Sequence, residues 1–395
     1  MRAAGRLVAL AVVPIVVLTT SCGLVKSALG EDDAGPQVAT VAVLVPGGAA
    51  GGGVSTGVID AVELAIAETT SDVPGWSVEV SPVEEGTEPA EMTTVVEDMV
   101  EDDVVAVIGG LSTDAIRTAQ PVLDQASILF VSPADVAPEH TRGADPATPL
   151  RPYPTYYRTS VGGETALAAL ARYAVDGLGA ATIAVIDAGD AAGSGEFVTA
   201  ARRAGAQVPV TGHAGESGEK IADVLATAAT AEVDAVFVAG GPNRAAMVAE
   251  EIAEGGLEAT LLLAPELSGP PFVEAAGASA EGAASVVPPT LTSTLDAAPE
   301  ALTAKLTAAG SAAPGRFGAA AYDAATAVGT VLAQCLPPAG SPSGARKGCE
   351  REMPQISFAG VTGDVGFDDF GERLGGTPEV ITVHDGAWTE LNDVE

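Results

Sequence analysis

The sequence around Ser55 has the spacing of a catalytic motif. Residues Gly53–Gly57 fit the G-x-S-x-G pattern of a nucleophile elbow, in which a serine occupies a sharp turn between a strand and a helix. Here the serine follows the nearest strand-like run by about ten residues, whereas an elbow follows its strand directly. A hydrolase would also need a base, and the histidines are only His140, His213 and His384. The sequence therefore favours a protein that is not an enzyme, with a serine hydrolase as a minor alternative.

The charge balance and the remaining motifs exclude other classes of function. The chain has 395 residues, of which 53 are acidic and 18 basic, so its formal net charge is −35. Most of such a surface repels a nucleic acid. No P-loop lysine follows the glycines and no G-x-G-x-x-G opens the first expected helix, so no nucleotide site is recognisable. Scattered histidines do not indicate a transition metal. We expect no cofactor, no metal and no nucleic-acid partner.

The first residues have the pattern of an export signal. Arg2 and Arg6 precede an apolar stretch, 7–18, which is shorter than the ~20 residues of a membrane-spanning helix. Small residues then lead to Cys22, as in a bacterial lipobox, where the cysteine is diacylated; the usual leucine is one position early, at Leu18. We expect a lipoprotein signal peptide over 1–21, lipidation of Cys22, a flexible tether over 22–37 and a place on the outer face of the cell membrane. The alternative is an ordinary secreted protein with a chance cysteine.

The other cysteines, Cys335 and Cys349, form an even pair on either side of a loop rich in Pro, Gly and Ser. Exported proteins meet oxidising conditions, so a disulfide is expected. Closing a loop of this size contributes ~3 kcal/mol in the chain-entropy model. Two free thiols are the alternative, and a zinc site is less favoured because no second cysteine pair or nearby histidine completes it.

From Val38 onward, short apolar runs alternate with longer amphipathic segments. Near-continuous apolar runs are typical of strands that are covered on both faces. Such runs occupy 41–45, 77–80, 104–108, 128–131, 182–186, 208–210, 235–238 and 261–263. Strand–helix alternation over this length predicts parallel doubly wound sheets. A stretch rich in proline and tyrosine, 145–159, interrupts the series, so we predict an α/β protein with two doubly wound lobes.

In such sheets, ligands bind beyond the carboxyl ends of the strands. The loops expected there are mostly small, glycine-rich or hydroxyl-bearing, so backbone N–H groups and helix N-termini can face a polar or anionic group. These loops are 46–53, 109–113, 132–136, 187–195, 240–243 and 264–268.

Several stretches resemble type I periplasmic binding proteins, in particular the leucine/isoleucine/valine-binding branch of the ABC-transporter receptors. In order along 38–388, they are Val107–Thr113, Leu129–Ala134, Tyr157–Thr159, Ala321–Ala324 and Phe358–Gly363, with Phe367 and Gly371. The resemblance implies two lobes that are joined by three crossover strands and close on a ligand. Lobe 1 would be 38–158 plus 288–376, and lobe 2 would be 159–287 plus 377–395.

The resemblance also implies the ligand contacts, which are Ser112, Thr113, Ala134, Asp135, Gly241 and Glu266. The family's hydroxyl for a ligand carboxylate falls on Thr113, at a helix start where N–H groups can also reach an anion. The acid for a ligand ammonium falls on Glu266, and a backbone contact falls on Ala134. Helix capping is the alternative for Ser112 and Thr113, turn capping for Asp135, and a solvated loop acid for Glu266.

The implied function is an extracytoplasmic solute-binding lipoprotein that passes a small polar ligand, an amino acid or analogue, to an ABC permease and ATPase. The family's aromatic ligand contacts are missing, so the ligand side chain need not be that of leucine. The resemblance also implies a monomer. The alternative is a ligand-sensing lipoprotein of the same fold without transport, because a fold does not fix a function.

Overall fold

The computed structural model describes residues 35–145, 148–189, 193–214, 218–287, 300–311, 313–376 and 378–391. The expected signal peptide, Cys22 and most of the expected tether lie outside these residues. From Gln37 onward, the described residues form one unit by their contacts. In the described ranges, no helix has both the length and the apolar character that crossing a bilayer requires.

A first sheet is built from the N-terminal strands, all of them parallel. They are β1 (Gln37–Pro46), β2 (Trp76–Glu85), β3 (Val104–Gly109), β4 (Leu129–Ser132) and β5 (Tyr156–Arg158). The helices between them are α1 (Gly48–Thr70), α2 (Pro89–Glu101), α3 (Thr113–Gln125) and α4 (Glu139–Arg142). The strand order is β2-β1-β3-β4-β5. Every residue of β3 and β4 is buried, which explains why their sequences do not alternate between apolar and polar.

A second sheet repeats this alternation. Its parallel strands are β6 (Thr182–Ala188), β7 (Gln207–His213), β8 (Ala235–Gly240), β9 (Thr260–Leu263) and β10 (Ala284–Val287). The helices of this region are α5 (Gly163–Arg172), α6 (Gly193–Ala204), α7 (Gly218–Thr230), α8 (Pro242–Gly255) and α9 (Pro270–Ala276). Buried apolar clusters cover both faces of each large sheet, so the predicted α/β fold class with doubly wound parallel sheets is confirmed.

The C-terminal part adds helices and short antiparallel strands. These are α10 (Glu300–Ala309), α11 (Gly315–Cys335), α12 (Pro342–Glu352), β11 (Ser357–Gly360), β12 (Gly363–Phe367), β13 (Arg373–Leu374), β14 (Glu379–His384) and β15 (Ala387–Glu390). Strands β11, β12 and β13 form a small antiparallel sheet, whereas β14 and β15 extend the second sheet beyond β10 in antiparallel orientation. The sequence-based prediction of parallel sheets alone missed these antiparallel pairs.

A disulfide joins the last residue of α11, Cys335, to Cys349 in α12, with Cα atoms 5.1 Å apart. The predicted pairing is confirmed, and neither free thiols nor zinc ligands remain at these positions. The segment between the cysteines is not only a loop, because α12 begins at Pro342. Ser341 caps this helix, accepting a hydrogen bond from the Gly344 N–H at 3.1 Å, and proline is favoured at the first helical position.

Candidate functional site

Equivalent glycines end one central strand of each large sheet and set the direction of the following loop. Gly109 ends β3 and Gly240 ends β8, each with φ of 129°. A Cβ at Gly109 would lie 2.0 Å from the Leu44 carbonyl oxygen, and one at Gly240 would lie 2.5 Å from the Ala188 carbonyl carbon. Only glycine combines this backbone angle with this close approach. The chain can therefore turn at once toward the N-termini of α3 and α8.

The predicted pair Ser112 and Thr113 lies at the first of these helix starts. The Ser112 hydroxyl caps α3, accepting from the Ala115 N–H at 3.2 Å. The same hydroxyl donates to Oε2 of Glu85 at 2.9 Å, and the Leu111 N–H donates to Oε1 of Glu85 at 2.6 Å. The Thr113 side chain is exposed, and within the described ranges its hydroxyl has no hydrogen-bond partner. Glu85, which the sequence analysis did not single out, is thus a member of this site.

A recess of about 420 Å³ opens beside the start of α3. Its walls include the hydroxyls of Ser112 and Thr113 and the carboxylates of Glu85, Glu88 and Asp114. None of the described residues that line it is basic. Burial raises the pKa of the Glu85 carboxyl, although the hydrogen bonds from the loop oppose this shift.

Ala134 and Asp135 are both occupied by contacts within the protein. The Ala134 N–H donates to the Ser132 hydroxyl at 3.3 Å. Asp135 is 4 % exposed; its carboxylate accepts from the Tyr156 hydroxyl at 2.7 Å and lies 3.0 Å from Nδ1 of His140. Asp135 therefore holds the loop that follows β4, as the turn-capping alternative proposed, and a ligand could reach it only by displacing these groups.

Glu266 and Gly241 lie at the carboxyl ends of strands in the second sheet. Glu266 follows β9, and the nearby backbone N–H groups of Glu266 itself and of Gly240 act to lower the pKa of its carboxyl. The effect of burial is larger, so the pKa is raised overall, although the residue is exposed to solvent. Gly241, the exposed N-cap of α8, directly follows Gly240, so the structure places these two predicted residues near each other.

Further acids from both large sheets and their helices lie near Glu266 or near one another. Burial raises the pKa of Glu196, at the start of α6, and the nearby charges of Glu164, Glu139 and Glu266 raise it further. Glu139 belongs to α4, between strands of the first sheet, whereas the other acids follow strands of the second sheet or lie on its helices. Among the described residues, none of these acids forms an ion pair. The surroundings of Glu196 are therefore rich in acids, with Arg142 as a cation that interacts with Glu164.

The hydrolase alternative finds no catalytic arrangement at Ser55. This serine lies inside α1, and its hydroxyl donates to the Pro46 carbonyl oxygen at 2.8 Å. In the described part of the chain, the histidines contact acids and no serine: His140 lies against Asp135, while the exposed His213 and His384 lie beside other carboxylates. The described ranges also contain no group of three or more His, Cys, Asp or Glu side chains that could hold a metal ion.

Doubly wound α/β sheets with small, glycine-rich loops at their carboxyl ends are the architecture of type I periplasmic binding proteins. The chain belongs to this family: the family model described as "Periplasmic binding protein" matches residues 38–381. A comparison with curated proteins gave no match.

Solved structures with this fold cover nearly the whole of both chains. The leucine-binding protein LivK of Thermotoga maritima is 20% identical, with a TM-score of 0.64 over 89% of this chain and 97% of its own. An ABC-transporter substrate-binding protein of Desulfitobacterium hafniense in complex with Leu is 18% identical, with a TM-score of 0.70 over 90% and 100%. A solute-binding protein of R. palustris in complex with benzoate is 18% identical, with a TM-score of 0.62 over 90% and 95%.

Proposed function

We propose that this protein is an extracytoplasmic solute-binding lipoprotein of an ABC transporter. It binds a small polar ligand, an amino acid or close analogue, between a lobe of residues 38–158 plus 288–376 and a lobe of residues 159–287 plus 377–395. Membership of the family supports this proposal, as do neighbours that are described with leucine and benzoate. The ligand stabilises a closed arrangement of the lobes because it contacts both of them there.

The exposed carboxylate of Glu266 carries the proposal. It projects from the end of β9 with a raised pKa and, within the described ranges, with no cationic partner. Such a group gains most from a ligand that supplies the missing cation, because a hydrogen bond between opposite charges is roughly twice as strong as a neutral one. On the other lobe, the free hydroxyl of Thr113 is available for the far end of the ligand.

Glu266→Gln is expected to weaken the binding of an amine ligand roughly 10- to 100-fold, since a hydrogen bond to a charged group contributes about 1.5–3 kcal/mol. Isothermal titration calorimetry with a panel of amino acids, amides and amines identifies the ligand and measures the loss. Glu258→Gln is the matched control, because Glu258 is an exposed acid at the opposite end of β9 and should leave affinity unchanged. If Glu266→Gln binds the ligand with the same affinity as the wild type, Glu266 does not bind a ligand ammonium.

The lipid anchor rests on the sequence of the export signal, 1–21, and on Cys22 after it. When cells that produce the protein are given labelled fatty acid, we expect the label to be incorporated into the protein. The Cys22→Ala variant should carry no label. Label that persists in the variant would contradict the proposal. If cells that lack the protein no longer take up the solute that it binds, this would favour transport over sensing.

A further inference from the structure

The loop immediately before α3 already binds a carboxylate of the protein itself. Strand order places β2 beside β1 and β1 beside β3, so Glu85, the last residue of β2, reaches across to the loop that follows β3. One of its oxygens takes the Leu111 N–H and the other takes the Ser112 hydroxyl. A helix N-terminus attracts anions, and Glu85 takes the donors of Leu111 and Ser112 immediately before α3, which begins at Thr113.

A ligand carboxylate in this recess would therefore meet negative charge without compensation. It would lie beside Glu85, with Glu88 and Asp114 also in the walls and no basic side chain among the described lining residues. Two carboxylates that share a site cannot both stay ionised without a large energetic cost. A positive group placed there would instead be attracted by each of these acids.

We propose that Glu85 determines ligand specificity by excluding a carboxylate at this end and selecting a solute with a cationic group at each end, such as a short diamine. This inference rests on the proposed function: one ammonium of the solute meets Glu266 and the other meets Glu85. The charges of Glu139, Glu164 and Glu266 all act on Glu196, so additional acids lie near the Glu266 end. Ser112 already caps α3. Helix capping therefore does not explain why Glu85 lies at this position.

Matched four-carbon probes separate the possible ligand classes. The probes are 1,4-diaminobutane, 1-aminobutane and 4-aminobutanoate, which differ only in the group at one end. Calorimetry with the wild-type protein is expected to show the diamine binding at least about tenfold more tightly than 4-aminobutanoate. Glu85→Gln should lower diamine affinity at least about tenfold and leave 1-aminobutane nearly unchanged.

Glu85→Ala tests the exclusion directly, because it frees the Leu111 N–H and the Ser112 hydroxyl for a ligand anion. We expect 4-aminobutanoate to gain at least about tenfold in affinity in this variant. Glu101→Gln is the control, because Glu101 is an exposed acid at the end of α2 and does not line the recess; it is expected to change each affinity less than about threefold. Denaturant unfolding of each variant verifies that it is folded.

The outcomes distinguish this inference from the proposed function. In one outcome, 4-aminobutanoate or another amino acid binds the wild type as tightly as the diamine does, and Glu85→Ala does not change the relative affinities. Glu85 then does not exclude a ligand carboxylate, so the inference is wrong while the proposed function stands. If no probe and no member of the wider panel binds, the proposed function fails and this inference with it.

Discussion

Replacing Arg373 by methionine is expected to lower the free energy of unfolding by about 3–5 kcal/mol, the cost of breaking a buried charged network. The Arg373 side chain is completely buried. Its guanidinium donates to the carbonyl oxygens of Thr159, Thr362 and Asp364 at 3.1, 2.9 and 3.0 Å, and Nη1 lies 3.9 Å from the carboxylate of Asp323. Methionine fills similar volume but leaves these acceptors without a donor.

Urea unfolding monitored by circular dichroism measures this loss. Arg351→Met is the matched control, because Arg351 is exposed on α12 and its replacement should change stability by less than about 0.5 kcal/mol. A loss in Arg373→Met no larger than in the control would show that the network does not stabilise the fold.

The contacts of Arg373 also have a place in the proposed mechanism. Thr159 directly follows β5, where the chain leaves the first sheet, and Arg373 begins β13, shortly before the chain returns to the second sheet at β14. The Arg373 side chain therefore connects two segments in which the chain passes from the first large sheet to the second. If closure moves one lobe relative to the other, this cluster is a rigid part of the hinge region, and its loss should weaken ligand binding as well as stability.

Replacing Asp135 by asparagine is expected to lower the free energy of unfolding by about 3–5 kcal/mol near neutral pH, again because a buried charged network is broken. Burial alone would raise the pKa of the Asp135 carboxyl, but the hydrogen bond and charge of His140, the charge of Arg158 and the Tyr156 hydroxyl outweigh burial and lower it. Glu372 accepts from Arg158 at 2.6 Å. The pKa of Glu372 is also lowered, because the hydrogen bond from Arg142, the charge of Arg158, the hydrogen bond from Thr141 and the charge of Arg142 together outweigh burial.

A lowered pKa in the folded state fixes the sign of the pH dependence. The stabilisation by Asp135 is complete above its ordinary value of 3.8 and is lost as the pH falls through the lower value of the folded protein. The difference between wild type and Asp135→Asn should therefore shrink as urea unfolding is repeated from neutral pH down to about pH 3. Asp98→Asn, an exposed acid on α2, is the control. A difference that stays constant with pH would contradict the ionic role of Asp135.

The strand–helix alternation and the disulfide were predictable from sequence because each has a local signal. Continuous apolar runs such as Val104–Ile108 indicate strands that are buried on both faces, and Cys335 and Cys349 lie close in sequence on either side of a segment rich in Pro, Gly and Ser. The short strands of the small sheet were missed, since Ser357–Gly360 and Gly363–Phe367 are rich in glycine and give no clear strand pattern. Their pairing is set by packing against neighbouring elements.

The candidate site was predictable only in part. Ser112 and Thr113 stand at a helix start, a position that sequence indicates through strand, loop and cap. The role of Glu85 depends on strand order, which brings two segments 26 residues apart into contact. The local sequence around Glu85 does not indicate this contact. The burial of Asp135 likewise depends on Tyr156 and His140, which reach it from outside its own loop.

Small-angle X-ray scattering of the mature protein, with and without the ligand that calorimetry identifies, tests most directly whether a small solute binds between two lobes. The radius of gyration should fall at saturating ligand, and Glu266→Gln, at the same ligand concentration, should keep the value of the free protein. If the ligand binds with an unchanged radius of gyration and with the same affinity in Glu266→Gln and Glu85→Gln, the solute does not bridge two lobes through these acids.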